Sequence, residues 1–521
     1  MVNLENLLRI VIWLTLSVLA IDLVLVLFIL RRRFSRWLYF NKKDLAVKRF
    51  TEPIHDFLAG KIAVEDLVST LRVGRRKAER DAIRDLLLES LAGNNRKAVT
   101  DALLRLGFVD AWASEAYGGR RARQLIHHIV TGDKLPLLQK RRFRRIRRLR
   151  LFCVKRARAV AQLGHLDADF AQVFVRESLA DPSPFVGRAN VSAMGRNQEM
   201  YEVPILLELL RQTTDGANEL PVHSVKTALV RHPITELDQF VPFLNDPNPS
   251  FRFLLVDSIR EICDAATFTL GPRNFPEQLY QWFLAQAAQD ESIDVRARSA
   301  RVIRYFHDGA AIRALRALLL DKNEFVRLHT IRACADPYYS ELISDIGRRI
   351  TDARWRVREA AVKTLATFGP AGRQHLENLF LATTDQYASE QIIEEMQRAG
   401  IIVEMLPALG SQNGDFARAT AVCTKMVRMG KTSLLTDLLG HETRMARWAS
   451  VTPSAEPISI SAEKARAQLL EILLASPTPE LMEALRLLAS REDGPLRKKA
   501  QSVLQSDAVQ PAPAARRATH A

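Results

Sequence analysis

Cysteine, aromatic side chains and strand-forming patterns are all scarce in this sequence of 521 residues. The four cysteines, Cys153, Cys263, Cys334 and Cys423, are scattered along the chain, so no pair has metal-ligand spacing and no disulfide framework can be drawn. Isolated thiols of this kind suit small apolar core positions in a reducing compartment. Only 7% of the residues are aromatic although 47% are hydrophobic, so any core must be built from aliphatic side chains. Alternating Val, Ile and Thr is almost absent, which disfavours β-architectures and points to an all-α chain. His-Glu-x-x-His, paired Cys-x-x-Cys and Gly-x-Ser-x-Gly motifs are missing as well. No catalytic constellation, metal or cofactor is therefore expected, and the chain does not read as an enzyme. Gly430-Lys431-Thr432 resembles the end of a phosphate-binding loop, but Lys425 stands where the earlier glycine belongs, so a helix end followed by a cap is expected. His127 and His128 are adjacent, point in different directions on a helix and cannot form a two-ligand face.

The net charge of +16 is unevenly distributed. Residues 31–160 contain 33 Lys and Arg against 13 Asp and Glu, a local excess of +20, which leaves the remainder slightly acidic. This excess begins at the end of a long apolar run. Ile10 to Leu30 comprises 21 residues with Asp22 as its only charge, and as a helix it spans about 31 Å, enough to cross a bilayer. It stops at Arg31-Arg32-Arg33 rather than at a small-residue cleavage site, so an uncleaved anchor is expected. Further bases at Arg36, Lys42, Lys43, Lys48 and Arg49 place the following chain in the cytoplasm by the positive-inside rule. Trp37, Tyr39 and Phe40 fit an interfacial collar. A carboxylate at the position of Asp22 costs about 2.5–3.5 kcal/mol on insertion scales. It either contacts a polar or basic group of another membrane helix or is tolerated by a very apolar span.

A phrase recurs in the remainder: an Asp, a Val or Phe five residues later, and then an Arg. It occurs as Asp246/Phe251/Arg252, Asp290/Val295/Arg296, Asp321/Val326/Arg327 and Asp352/Val357/Arg358, and the last two steps between acids are both 31 residues. A period of this length accommodates one helix pair and signals a solenoid. Asp181, Asp215 and Asp385 continue the series by spacing, and a Pro/Gly segment, TFTLGPRNFPE, interrupts it after Cys263. An Asp before the second helix of a pair can accept its orphan N–H groups. The Val enters the core, and the Arg can reach the Asp of its own or the neighbouring repeat to form a ladder. With Ala-rich second helices such as RARSARVIRYF and VREAAVKTLATFG, the phrase resembles HEAT repeats, most clearly over residues 150–400. The resemblance implies a right-handed α-solenoid of stacked helix pairs and leaves the function open. HEAT arrays serve as scaffolds, adaptors and transport factors and, in a few bacterial cases, as DNA glycosylases. Trp355 beside Asp352 offers an aromatic–acid pair of the glycosylase kind, but the repeat already accounts for the acid.

The expected organisation is a short extracytoplasmic segment (1–9), a transmembrane helix (10–30), a basic juxtamembrane segment (31–43) and a helical region broken at glycines (44–135). HEAT-like repeats (136–400), a weakened helical region (401–505) and a disordered tail (506–521) follow. The densest charge, Lys140 to Arg158, has eleven bases and no acid. Helical spacing directs Phe143, Ile146, Leu149, Cys153 and Ala157 inward and Arg141, Arg144, Arg145, Arg148 and Arg156 outward. Anionic lipid, an acidic protein surface or nucleic acid phosphate could meet such a face, or it could simply be solvated. The resulting expectation is a membrane-anchored cytoplasmic scaffold or adaptor in a bacterial-type inner membrane, accessory to an envelope polysaccharide or secretion assembly. Its partners would be proteins of that complex and the anionic membrane surface. A membrane-tethered, nucleic-acid-binding or DNA-repair solenoid is the competing class.

Overall fold

A computed structural model describes residues 4–71, 76–91, 95–131, 153–179, 181, 183–197, 202–266, 275–411, 414–440, 458–491 and 495–505. Among the described residues the regular elements are all helical, and no strand occurs. The expected Pro/Gly interruption after Cys263 and the C-terminal tail lie largely or wholly outside them. The chain forms two compact units, Met1–Ile262 and Cys263–Ala521.

In the first unit the helix Leu4–Leu58 runs through both composition boundaries anticipated at its N-terminal end. Neither the change from apolar to basic after Leu30 nor Pro53 ends it. Its last third becomes a core helix, with Ala46, Phe50, Ile54 and Phe57 buried at intervals of four, four and three residues, the stripe that one helical face requires. This stripe joins Leu67, Ile83, Leu87, Val99 and Leu103 in a single core. The helix Lys77–Ser90 packs against Leu4–Leu58 and buries Ala78, Ala82, Ile83 and Leu87. Gly107 and Gly118 end successive helices with φ of +75° and +85°, a left-handed turn that side chains with a Cβ rarely adopt. Beyond them, Phe108–Tyr117 packs on Cys153–Leu163, which packs on Pro184–Asn197, which in turn packs on Val222–Val230.

The second unit shows the repeat at its most regular. The helices Ile293–Ile303, Glu324–Ala333, Trp355–Ala366 and Gln386–Arg398 stack in succession. Val295, Val326 and Val357 occupy equivalent, fully buried positions, so a face that no isolated helix pair could cover is covered by its neighbours. Alanines such as Ala297, Ala300, Ala360 and Ala361 are buried between them and keep the helices close.

One contact in this unit leaves no room for a side chain. A Cβ on Gly372, in the helix Gly369–Ala382, would sit 2.0 Å from the Leu365 carbonyl oxygen. Gly372→Ala is expected to destabilise the chain by about 1–3 kcal/mol, the usual cost of overpacking. Gly309→Ala, whose added Cβ would meet only the end of the Arg313 side chain at 3.6 Å, is expected to be neutral or slightly stabilising. Urea unfolding of the two variants side by side checks the contrast.

Candidate partner-binding surfaces

The N-terminal helix presents two surfaces of different character. From Trp13 to Phe40 its large apolar side chains are exposed, Trp13 by 71% and Leu19 by 69%, and the stretch is long and apolar enough to cross a membrane. Asp22 lies on it, also exposed. At Tyr39 the helix meets the folded unit. The Tyr39 hydroxyl donates to Asp81 at 2.5 Å and Lys43 Nζ donates to Asp85 at 2.6 Å, while Arg84 bridges the two acids at 2.7 and 2.8 Å. The hydrogen bond to Asp81 and then burial push the Tyr39 phenol up to about 12. Burial pushes Asp85 the other way from its partners, but Lys43 and Arg84 prevail and hold its carboxyl below the ordinary range. Tyr39 therefore differs from the expected interfacial collar: it is committed to the folded unit. Trp37 and Phe40 remain exposed. Tyr39 lies nine positions beyond Leu30, about 14 Å of helix.

Of the five arginines expected to project from the basic run, Arg141, Arg144, Arg145 and Arg148 lie outside the described residues. Arg156 corrects the expectation. It is buried, and its Nε and Nη2 donate to the two carboxylate oxygens of Asp181 at 3.1 and 3.0 Å. The physical reason is repeat register, since Arg156 and Asp181 are 25 residues apart, the same separation as two pairs in the second unit. Single-helix periodicity directed Arg156 outward because it ignored the next repeat.

Those pairs form the ladder. Arg296 donates through Nε and Nη2 to Asp321 at 2.7 and 3.2 Å, and through Nη1 to the carbonyls of Asp290 and Glu291 at 2.7 and 3.2 Å. Arg327 repeats the arrangement with Asp352, at 2.8 Å for both carboxylate contacts, and with the carbonyls of Asp321 and Lys322 at 2.8 and 3.2 Å. Each arginine thus closes its own turn and grips the acid of the next. Asp246, Asp290, Asp321 and Asp352 each also accept the backbone N–H two residues on, at 2.8, 2.8, 2.7 and 3.1 Å. Burial raises the Asp321 and Asp352 carboxyls, but Arg296, Arg327 and the N–H donors outweigh it and leave both below the usual range. Arg252 holds the carbonyls of Asp246 and Pro247 at 2.8 and 3.2 Å. At Arg358 the pattern is incomplete: Nη1 reaches the Asp352 carbonyl at 2.8 Å, but Nε is buried without a hydrogen-bond partner. Asp385 lies 27 residues on rather than 25 and accepts the N–H groups of Tyr387 and Ala388.

This geometry removes Asp352 from any aromatic–acid chemistry with Trp355, because both carboxylate oxygens are held by Arg327. Gly430, at φ +71°, lies just beyond the helix Gly414–Arg428 rather than in a phosphate loop. Cys263, Cys334 and Cys423 are buried and in no disulfide, and burial pushes Cys423 up to about 12, so it is not a reactive thiolate. No group of His, Cys, Asp and Glu able to hold a metal occurs among the described residues.

Sequence reasoning missed a surface in the second unit. Ile293, Phe325 and Trp355, each in the first turn of a stacked helix, are 41%, 40% and 56% exposed. Their signal was available: each stands one or two positions before the core Val of its repeat, where the helix begins to turn outward.

Comparison with known proteins matches the region where the ladder is most regular. Residues 281–341 fit the family model described as HEAT repeats. No curated protein matches the sequence. Among solved structures, similarity extends to a chain of the Pds5–Scc1 complex (13% identity, 84% of this chain and 79% of that chain covered, TM-score 0.35). A Kap121p mutant is also similar (13% identity, 88% and 56% covered, TM-score 0.36), as is human deoxyhypusine hydroxylase in complex with glycerol (16% identity, 50% and 97% covered, TM-score 0.21). At these TM-scores the likenesses carry no argument about this chain. The recurring Asp–Val–Arg phrase, its ladder geometry and the family match agree: the chain carries HEAT repeats in an all-α fold of the α-solenoid class.

Proposed function

We propose that this chain is a single-pass membrane protein whose HEAT-repeat array holds a protein partner close to the membrane surface. A HEAT solenoid is suited to protein–protein scaffolding, because stacked repeats present an extended side-chain surface on a rigid frame. The observation that carries the membrane part is the helix Leu4–Leu58, in which an exposed apolar stretch continues without a break into a buried core helix. Exposed apolar side chains at this density are costly in water, at about 1.5–3 kcal/mol for each large side chain left unburied. A bilayer covers them. The Tyr39–Asp81 and Lys43–Asp85 bonds then fix the folded unit to the helix within a short distance of the headgroups, so the attachment is a stiff stalk rather than a flexible linker.

In this reading the N-terminus is outside and the array is in the cytoplasm of a bacterial-type inner membrane. Asp22 meets a polar or basic group on another membrane helix, and the bases of the run 140–158 other than Arg156 engage anionic lipid or an acidic protein surface. An accessory role in an envelope polysaccharide or secretion assembly fits this architecture. Crosslinking in intact membranes, followed by identification of the captured protein, tests the proposal. A reproducible membrane-protein partner is the expected result. Absence of any crosslinked partner, or capture of nucleic acid by the soluble face with a steep salt dependence, would refute it.

A further inference from the structure

In the first unit the ladder changes residue type at one position. Asp181 is followed six residues later by Gly187, whereas Asp246, Asp290, Asp321 and Asp352 are each followed six residues later by an arginine. Arg252, Arg296, Arg327 and Arg358 all turn back to the carbonyl of their own Asp, and Arg296 and Arg327 also reach the acid of the next repeat. Gly187 does neither. A Cβ on it would lie 2.8 Å from Leu220 Cδ2, so the glycine lets the turn before the next repeat's second helix approach the helix Pro184–Asn197. Arg188, the next residue, is exposed and does not line the space beside Gly187.

That space is a pocket of about 370 Å³, walled on one side by Asp181, Ser183, Gly187 and Asn190 and on the other by Gln212 and Glu219. Gln212 stands 25 residues after Gly187, the step that separates Arg296 from Asp321 and Arg327 from Asp352, so the pocket lies where a rung would run. It offers chiefly hydrogen-bond acceptors. Asn190 is 1% exposed, and its buried Oδ1 accepts no hydrogen bond among the described residues. Ser299 and Thr330 hold the same register, four residues after the core Val of their repeats, and each donates to that Val's carbonyl at 2.7 and 2.8 Å. An amide buried at such a position without a bond is costly unless a donor reaches it from the pocket. Gln212 uses Nε2 on Glu208 at 2.8 Å, which leaves its amide oxygen. The Asp181 carboxylate is compensated by Arg156, whereas Glu219 is exposed and makes no salt bridge among the described residues. Among the described residues that line the pocket, none is a base.

We infer that this pocket binds a guanidinium group, carried by an arginine side chain of another protein or by a free guanidino compound, in the place that a ladder arginine holds in other repeats. A guanidinium presents five N–H donors in a rigid plane, suited to engaging the Asn190 Oδ1, the Gln212 amide oxygen and Glu219 together. An ammonium has three donors and is more strongly hydrated, so it gives up more water to reach a buried amide. An anion would meet Glu219 with no base in the pocket to compensate it. Val191, Leu209 and Leu220 also line the pocket and offer apolar surface to the aliphatic stem of an arginine. The site lies wholly within the repeats of the first unit and needs neither the membrane nor the scaffold reading.

The test uses the full chain in micelles of a nonionic detergent and ligand-observed saturation-transfer NMR with acetyl-arginine-amide as the probe. Saturable binding is expected. The neutral isostere acetyl-citrulline-amide and the ammonium analogue Nα-acetyl-lysine-amide are each expected to bind weaker by about tenfold or more, the scale of one hydrogen bond to a charged group. Asn190→Leu is expected to weaken the probe by about tenfold or more while melting at or above the parent temperature, because an apolar side chain of similar size replaces a buried amide that has no bond. A merely structural amide would lower the melt when removed. Glu219→Gln, an exposed change, is expected to narrow the preference for the arginine probe over the citrulline one. Free arginine identifies the source. A site for a protein side chain prefers acetyl-arginine-amide, since the α-carboxylate of free arginine meets Glu219, and a site for the free compound reverses that order. Equal binding of the arginine and citrulline probes, or unchanged affinity in Asn190→Leu, would overturn the inference. So would a lowered melt in Asn190→Leu together with unchanged selectivity in Glu219→Gln.

Discussion

Arg327→Met is expected to destabilise the second unit by about 1–3 kcal/mol, the cost of leaving buried acceptors without their donor in a part-buried ion pair. Arg327 makes four hydrogen bonds across two repeats, to both carboxylate oxygens of Asp352 and to the carbonyls of Asp321 and Lys322. Methionine matches much of its stem but satisfies none of these acceptors. Asp352 would keep the Arg354 N–H but lose its principal counter-charge. Adding Asp352→Asn to Arg327→Met should return a measurable part of the loss, because a neutral amide can still accept that N–H without a buried charge. The coupling is expected in the range of about 0.5–3 kcal/mol. Arg358→Met should be milder, since Arg358 already has an unpartnered Nε. Urea unfolding, with hydrogen exchange to localise the loss to the helices Glu324–Ala333 and Trp355–Ala366, measures all three. pH supplies an independent check. The folded-state pKa of Asp352 is depressed, so the rung's contribution is fully present above the unfolded value near 4 and is lost as pH falls through the lower, folded value. The stability gap between parent and Arg327→Met should therefore narrow only in acid. A constant gap down to pH 2 would show that the carboxylate's charge plays no part.

The ladder also shows what a sequence of this kind can and cannot disclose. The positions of Asp290, Val295 and Arg296 and their counterparts were legible because each is set by the repeat itself: the acid by orphan N–H groups, the Val by the core, the Arg by its turn. The direction of each Arg contact was not. Both its own and the neighbouring Asp were chemically possible, and the structure assigns the carbonyl of the former and the carboxylate of the latter. Arg156 illustrates the same limit, since charge density is visible in sequence whereas membership in a rung depends on a partner 25 residues away. Composition marked the apolar and basic stretches of the first helix without disclosing that one backbone runs through both. A helix can pass from an exposed apolar stretch to a basic one and then into a core without changing its backbone, as at Leu30, Arg36 and Phe50 within Leu4–Leu58. The row of Ile293, Phe325 and Trp355 went unread because a hydrophobic residue next to a core position looks like core until the helix phase is known.

Leu19→Asp combined with Leu23→Asp is expected to release the chain from the membrane while leaving its folded units intact. Both leucines are exposed on the apolar stretch, by 69% and 60%, and they flank the acid already present at Asp22. Insertion scales assign about 2.5–3.5 kcal/mol to each Asp at the centre of a span and a small favourable value to each Leu. The two changes together cost on the order of 6 kcal/mol, close to a ten-thousandfold shift in partition. The core contributed by the same helix begins at Ala46, well beyond the substitutions, so far-UV circular dichroism of the released protein should show the helical content of the remaining units. Carbonate extraction measures the release. Retention in the carbonate-resistant pellet would mean that this helix is not what anchors the chain. Asp22→Leu provides the opposite test. By removing the only charge of the run it should strengthen insertion, so loss of a membrane partner from crosslinking in this variant could not be attributed to loss of anchoring. That result would assign Asp22 to the contact with the partner's membrane helix, whereas an unchanged crosslink would identify it as an acid that a very apolar span tolerates.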